Sequence, residues 1–175
     1  EAFMAANPGA VIQVTGGGTG TGIAALLNGT TEICQASRPI KESEQEELQK
    51  KFGARATEIL VARDGLAVYV HAENPIESLT LEQLRRLYQG EISNWKQVGG
   101  KDAPITLYSR ENSSGTYEFF KEHVLQGKDF AAGAQTTPGT AAVLQAVAKD
   151  ANGIGYGGAA YGAGAKHLAI KKDAA

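Results

Sequence analysis

Twice in 175 residues a strand-like run passes through glycines and hydroxyls into a helical one. The first passage is Val11-Ile-Gln-Val-Thr15, then Gly16-Gly-Gly-Thr19-Gly20-Thr21-Gly22, then Ile23-Ala-Ala-Leu-Leu27 with Asn28-Gly29 behind it. The second joins residues 103–109, which alternate apolar and polar, to residues 117–125, where Tyr117, Phe120 and Val124 recur at helical spacing. Between them stands Arg110-Glu-Asn-Ser-Ser114-Gly115-Thr116. A helix beginning there offers free N–H groups and the positive end of its dipole. Ser114 and Thr116 add hydroxyls, and Arg110 adds a two-pronged cation. The stretch reads as an oxyanion site; an ordinary serine cap beside a surface arginine is the other reading.

The remaining chain keeps the alternation. Residues 1–7 read as the end of a helix stopped by Asn7-Pro8-Gly9, and residues 32–37 as a strand. Ser43 with Glu46 suggests a capping box for a charged helix over 44–52, and Thr80 with Gln83 another for 81–88. Residues 58–62 and 66–71 are β-rich, 140–149 helical, and 153–157 and 168–170 strands. Strands alternating with helices predict an α/β fold with mixed or parallel sheets, in which ligands sit at the carboxyl ends of strands. Both small-residue loops lie at such ends, which predicts a cleft between two lobes.

A net charge of −2 gives no basic surface for nucleic acid. No apolar run is long enough to cross a membrane as a helix. The single cysteine, Cys34, leaves no internal disulfide and reads as a core thiol. His71, His123 and His167 lack metal-ligand spacing, so no metal or cofactor is expected. Gly16 to Gly22 spells the glycine loop of tubulin-type GTPases, and Gly20 to Ala25 a dinucleotide fingerprint without its acidic partner at a strand end. Ser93-Asn-Trp-Lys96 matches a serine acyl-enzyme motif whose companion motifs are missing. No nucleophile–base pair stands out, so the expectation is a binding protein and not an enzyme.

Taken in order, six stretches carry a resemblance. They are residues 16–23, Ala36-Ser-Arg-Pro-Ile40, Asp64-Gly-Leu-Ala-Val68, residues 79–100 with Ile92-Ser-Asn-Trp95, residues 110–116, and Gly153-Ile-Gly-Tyr156. With them the chain resembles the PstS-type periplasmic phosphate-binding proteins of ABC transporters. The resemblance implies a two-lobed, type II periplasmic-binding-protein fold closing by a hinge on a buried anion. Lobe I would hold residues 1–70 and 157–175, lobe II residues 71–156, with crossings near Val70 and Tyr156. It further implies Arg110 as the salt-bridging guanidinium, and Ser114, Gly115 and Thr116 as donors from lobe II. Thr19 would stand where a serine is usual, and Ser37 and Arg38 would line lobe I's side of the cleft.

Two departures accompany it. Some family members carry an aspartate where Arg38 stands, accepting the proton that distinguishes phosphate from sulfate; Asp64, beside the expected hinge, is the carboxylate assigned that role here, a turn aspartate before Gly65 being the other reading. The family's opening strand and loop and its longer closing tail have no counterpart, so the resemblance implies a chain truncated at both ends. The function expected is capture of inorganic phosphate for an ABC permease, by a monomer in the periplasm or outside the cell, with lipid anchoring as one form. The alternatives are a receptor for sulfate, molybdate or tungstate, a sensor or adhesion module on the same fold, and last a nucleotide-binding enzyme.

Overall fold

The computed structural model describes residues 1–161 and 164–172. Six strands form one sheet: β1 (Leu66–Val70), β2 (Ser78–Thr80), β3 (Thr106–Arg110), β4 (Gln135–Thr137), β5 (Gly153–Gly158) and β6 (Lys166–Lys171), in the order β2-β6-β1-β5-β3-β4. β1 runs antiparallel to both β5 and β6, whereas β3 is parallel to β5 and β4. The sheet is therefore mixed, and the class is the α/β one expected. β6 pairs with β1 and β2, so the stretch around Leu168 belongs to this sheet, with Leu168 in its core.

Its helices are α1 (Ala2–Ala6), α2 (Thr19–Leu27), α3 (Glu42–Phe52), α4 (Leu81–Tyr88), α5 (Gly115–His123) and α6 (Gly139–Lys149). β1 is buried on both faces, as central strands are. Val68 and Val70 join Leu84, Leu87, Tyr88, Trp95 and Phe120 on one side, while Tyr69 meets Val143, Leu144 and Val147 of α6 on the other. α6 lies directly on β5 because glycines leave room. A Cβ on Gly155 would stand 3.0 Å from Val147 Cγ2, and one on Gly157 3.1 Å from Thr140 Oγ1.

Local codes fix several boundaries. Thr80 Oγ1 accepts the Gln83 N–H at 3.0 Å and Gln83 returns a bond to the Thr80 N–H at 2.9 Å, so α4 starts where its capping box says. α3 begins two residues earlier than the Ser43 and Glu46 pattern implies, because Glu44 reaches back to the Lys41 N–H at 2.8 Å. α2 likewise starts at Thr19 rather than Ile23, with Gly18 before it.

The expected strands at 11–15, 32–37 and 58–62 do not form. They run without sheet pairing, and Val11, Val14, Ile33, Ile59, Leu60 and Val61 are exposed, Val61 at 90%. Strand preference is a preference for a pleated, half-buried surface. Among the described residues no neighbouring strand supplies one there. The Cys34 side chain is partly exposed rather than a core thiol, packing with Sγ 2.5 Å from where a Gly22 Cβ would stand.

Candidate oxyanion site

Ser114 caps α5, its Oγ accepting the Tyr117 N–H at 3.3 Å. The Ser114 N–H in turn donates to Glu111 O at 2.9 Å, closing the turn between the end of β3 and the head of α5. Gly115 and Thr116 thus stand first and second in the helix, where no preceding turn can accept their N–H groups.

Across from this helix start lies the start of α2. Thr19 Oγ1 accepts the Ser37 N–H at 3.1 Å and lies 3.3 Å from Ser37 Oγ. The Gly20 N–H donates to Ser113 O at 2.8 Å, a backbone bond between the two loops. A Cβ on Gly115 would come within 2.5 Å of Thr19 Oγ1 and 2.9 Å of Ser37 Oγ, so only a glycine lets the loops meet this closely. Thr19 and Ser114 are both buried. Thr19, Ser37, Ser114 and Gly115, read separately from the sequence, are brought together.

Arg110, at the end of β3, is 9% exposed. Its Nε and Nη2 donate to the two oxygens of Glu111 at 3.0 Å each, and Nη1 donates to Thr140 Oγ1 at 3.0 Å. A guanidinium has five N–H groups. Three are used, and two, one on each terminal nitrogen, have no bond among the described residues and are left for another acceptor. Burial pushes the Glu111 carboxyl up, but bonds from Arg110 and from the N–H groups of Glu111 and Gly139 bring it net below the usual carboxylate value.

Tyr156 holds the Arg110 backbone. Its hydroxyl lies 2.9 Å from Ser109 Oγ and accepts the Arg110 N–H at 3.4 Å. The ring stacks on Phe120 at 3.9 Å between centroids, and burial pushes the phenol up to about 12. Tyr156→Phe is expected to cost about 1 kcal/mol of stability, a typical hydrogen bond, and to weaken anion binding several-fold by loosening Arg110. Urea unfolding with a parallel titration checks this; no change in either would show that the hydroxyl positions nothing.

Arg38 and Asp64 stand apart from the cluster. Arg38 is bound to carboxylates, Nη1 and Nη2 donating to Glu44 at 2.9 and 2.8 Å and Nε pairing with Glu118. Asp64 Oδ1 accepts the Gly65 N–H at 2.8 Å, and Oδ2 faces the Gly158 Cα at the edge of β5. Burial first, and the Asp64 charge second, raise the nearby Tyr69 phenol. Sequence reasoning gave no site role to Glu111, Ser113 or Thr140, and it placed Tyr156 at a hinge crossing rather than beside Arg110. A signal for Thr140 was present: Thr137-Pro138-Gly139-Thr140 is a third strand-to-helix junction built of small and hydroxyl residues. Among the described residues no cluster of His, Cys, Asp and Glu could hold a metal, and no helix is long and apolar enough to cross a membrane.

A family model described as a PBP superfamily domain matches residues 1–174. The chain belongs to the PBP superfamily. Among curated members of known name, it is 34% identical over 185 residues to phosphate-binding protein PstS of Pseudomonas aeruginosa, a match covering 98% of the chain and 57% of that protein. It is 36% identical over 161 residues to PstS of Staphylococcus haemolyticus, covering 90% of the chain and 50% of the relative. The chain thus spans about half the length of these relatives. A Clostridium perfringens protein, assigned as a phosphate ABC transporter substrate-binding protein and solved with bound phosphate, superposes with a TM-score of 0.86. That match has 33% identity and covers 97% of this chain and 68% of the other. An ABC-type phosphate transport receptor from Vibrio cholerae gives a TM-score of 0.72 at 31% identity, with the same coverages. The resemblance and the type II fold read from the sequence both hold. The family members so named are binding proteins rather than enzymes.

Proposed function

We propose that this chain binds inorganic phosphate between its two small-residue loops, as the substrate-binding component of an ABC transporter outside the cytoplasmic membrane. The observation that carries the reading is the convergence of Thr19, Ser37, Ser114 and Gly115, the last two on a loop that opens at Arg110, which has two N–H groups without a bond among the described residues. The anion would be dehydrated between the N-termini of α2 and α5, with the Gly115 and Thr116 N–H groups, the hydroxyls and Arg110 replacing its water. The two lobes would be residues 1–70 with 157–175 and residues 71–156; because β1 and β6 pair into the sheet of the second and Val70 and Tyr156 lie in its core, the hinge would fall outside these strands rather than at Val70 and Tyr156. The permease would receive the closed form, and the protein would act as a monomer. A phosphate-bound relative at 33% identity supports the ligand assignment.

Calorimetric titration with phosphate, repeated under excess sulfate, tests it. Binding that survives sulfate supports a phosphate receptor. Loss to sulfate favours a receptor for tetrahedral oxyanions in general, and no heat with phosphate overturns the reading.

Selectivity would need a carboxylate with a free oxygen to accept the phosphate proton. Glu111 has both oxygens occupied by Arg110 and Gly139. Asp64 retains Oδ2 without a donor among the described residues, which supports giving it the role, with lobe closure bringing it to the anion because it stands apart from the Thr19 and Ser114 loops in this structure. Asp64→Asn is expected to narrow the preference for phosphate over sulfate by about tenfold, on the order of 1.4 kcal/mol. An unchanged ratio of dissociation constants would remove Asp64 from selectivity.

A further inference from the structure

Arg38 sits where the chain leaves the Ser37 loop, yet its donors are almost all committed. Nη1 donates to Pro39 O at 2.8 Å and to Glu44 Oε2 at 2.9 Å, Nη2 donates to Glu44 Oε1 at 2.8 Å, and Nε pairs with a Glu118 oxygen. Three of its five N–H groups donate hydrogen bonds and its Nε edge faces the Glu118 carboxylate, which leaves no open fork for an oxyanion. Arg110 keeps two N–H groups without a bond among the described residues, so the two arginines are equipped for different work.

The carboxylates around Arg38 come from different places. Glu44 lies in the first turn of α3 and is fixed there by the Lys41 N–H; its bonds from Arg38 hold it below the usual carboxylate value, and Arg38 is raised in turn. Glu118 lies on α5, whose first residues form the opposite wall of the oxyanion site. It also accepts from Lys41 Nζ at 2.9 Å. The Arg38 and Glu44 side chains are 9% and 18% exposed, whereas Glu118 is 30% and Lys41 54%. The cluster edges an open groove lined also by Tyr117, Lys121 and His123, so salt from solvent reaches it. Glu44 neutralises Arg38 from its own side whatever the cleft does. Glu118 alone arrives from across it, and is withdrawn when the loops part.

We propose that Arg38 and Lys41 form with Glu118 an ion-pair latch across the mouth of the cleft, which holds the loops together and governs how fast the anion leaves. Arg38 is a positioning residue of the binding site and does not touch the ligand. The inference rests on the phosphate-binding reading, with one arm independent of it.

The test uses Glu118→Gln, Arg38→Gln and the double variant. Stopped-flow release of phosphate is expected to be about tenfold faster in each single variant, with association unchanged. The double variant should be no faster than Glu118→Gln, because losing Glu118 already breaks its pairs with both Arg38 and Lys41, whereas Arg38→Gln leaves the Lys41 pair. Rising ionic strength should speed release from the wild type, less from Arg38→Gln, which keeps the Lys41 pair, and barely from Glu118→Gln and the double variant. An Arg38→Gln loss near that of an Arg110 variant, adding to that of Glu118→Gln, would make Arg38 a ligand contact and overturn the latch. The independent arm places fluorophores at Glu47 of α3 and Glu122 of α5 in a Cys34→Ser background, without phosphate. The latch predicts a longer separation in Glu118→Gln at low salt, and a wild-type separation that lengthens as salt rises. If the wild type fails to bind phosphate but this distance responds, the ligand assignment fails and the latch stands. If the distance is the same in both proteins at every salt concentration, the latch fails.

Discussion

Arg110→Lys will sharply weaken binding of phosphate while leaving the fold in place. The substitution keeps a positive charge but replaces a planar fork by a single ammonium. In the structure the guanidinium faces two ways, gripping both Glu111 oxygens with Nε and Nη2 and Thr140 with Nη1. Its two remaining N–H groups are therefore fixed before any anion arrives, and ordering costs are low on binding. A lysine has three N–H groups, too few for two bonds to Glu111, one to Thr140 and two to an oxyanion. Losing charge-assisted hydrogen bonds that an ammonium cannot reproduce costs about 1.5–3 kcal/mol, or roughly 10- to 150-fold in affinity. Calorimetry on the variant should show this loss, with the thermal midpoint lowered by only a few degrees because the Glu111 side chain is 29% exposed and partly solvated. A dissociation constant within threefold of wild type would mean that Arg110 serves the turn, not the anion.

What could be read ahead of the structure follows how local each determinant is. α4 and α5 announce themselves because Thr80, Gln83 and Ser114 satisfy helix ends within three residues in sequence. The meeting of Thr19 with Ser37 was reachable by resemblance, being a bond across 18 residues between two recognisable loops. The partners of the two arginines were not legible. Thr140 lies 30 residues from Arg110, and Lys41 bonds Glu118 across 77. Nothing in the local pattern says that Arg38 turns to carboxylates on two helices. The unpaired runs at 11–15, 32–37 and 58–62 fail in the opposite sense. Their local pattern is as strand-like as that of β3, but a strand is completed by its neighbour, and composition cannot say whether one is there.

Contact between the loops gives the other large expected effect. Gly18 has φ −83° and ψ 171°, a conformation open to any residue, so an alanine there adds no backbone strain. Its methyl would nonetheless overlap the Ser113 carbonyl oxygen and lie 2.5 Å from the carbonyl carbon and 2.9 Å from Oγ. The obstacle is mostly backbone, and no rotamer change removes it. The loops must separate by roughly 1 Å, close to the gap at which dispersion contact is largely forfeited, and the Gly20 to Ser113 bond goes with them. Overpacking of about 1–3 kcal/mol, plus about 1 kcal/mol for that bond, predicts a fall of roughly 30- to 1,000-fold in phosphate affinity. Stability against urea should hold or rise slightly, since an open form relieves the clash and alanine restricts the unfolded chain. Gly20→Ala supplies the contrast. Its nearest neighbours would be Ser113 Cα and O at 3.4 Å, an ordinary contact, so binding should stay within a factor of three. Equal effects at the two glycines would mean that loop contact does not control binding. A large loss confined to Gly18 would tie affinity to the closeness of two backbones, which is how a site made chiefly of N–H groups and hydroxyls selects for a closed form.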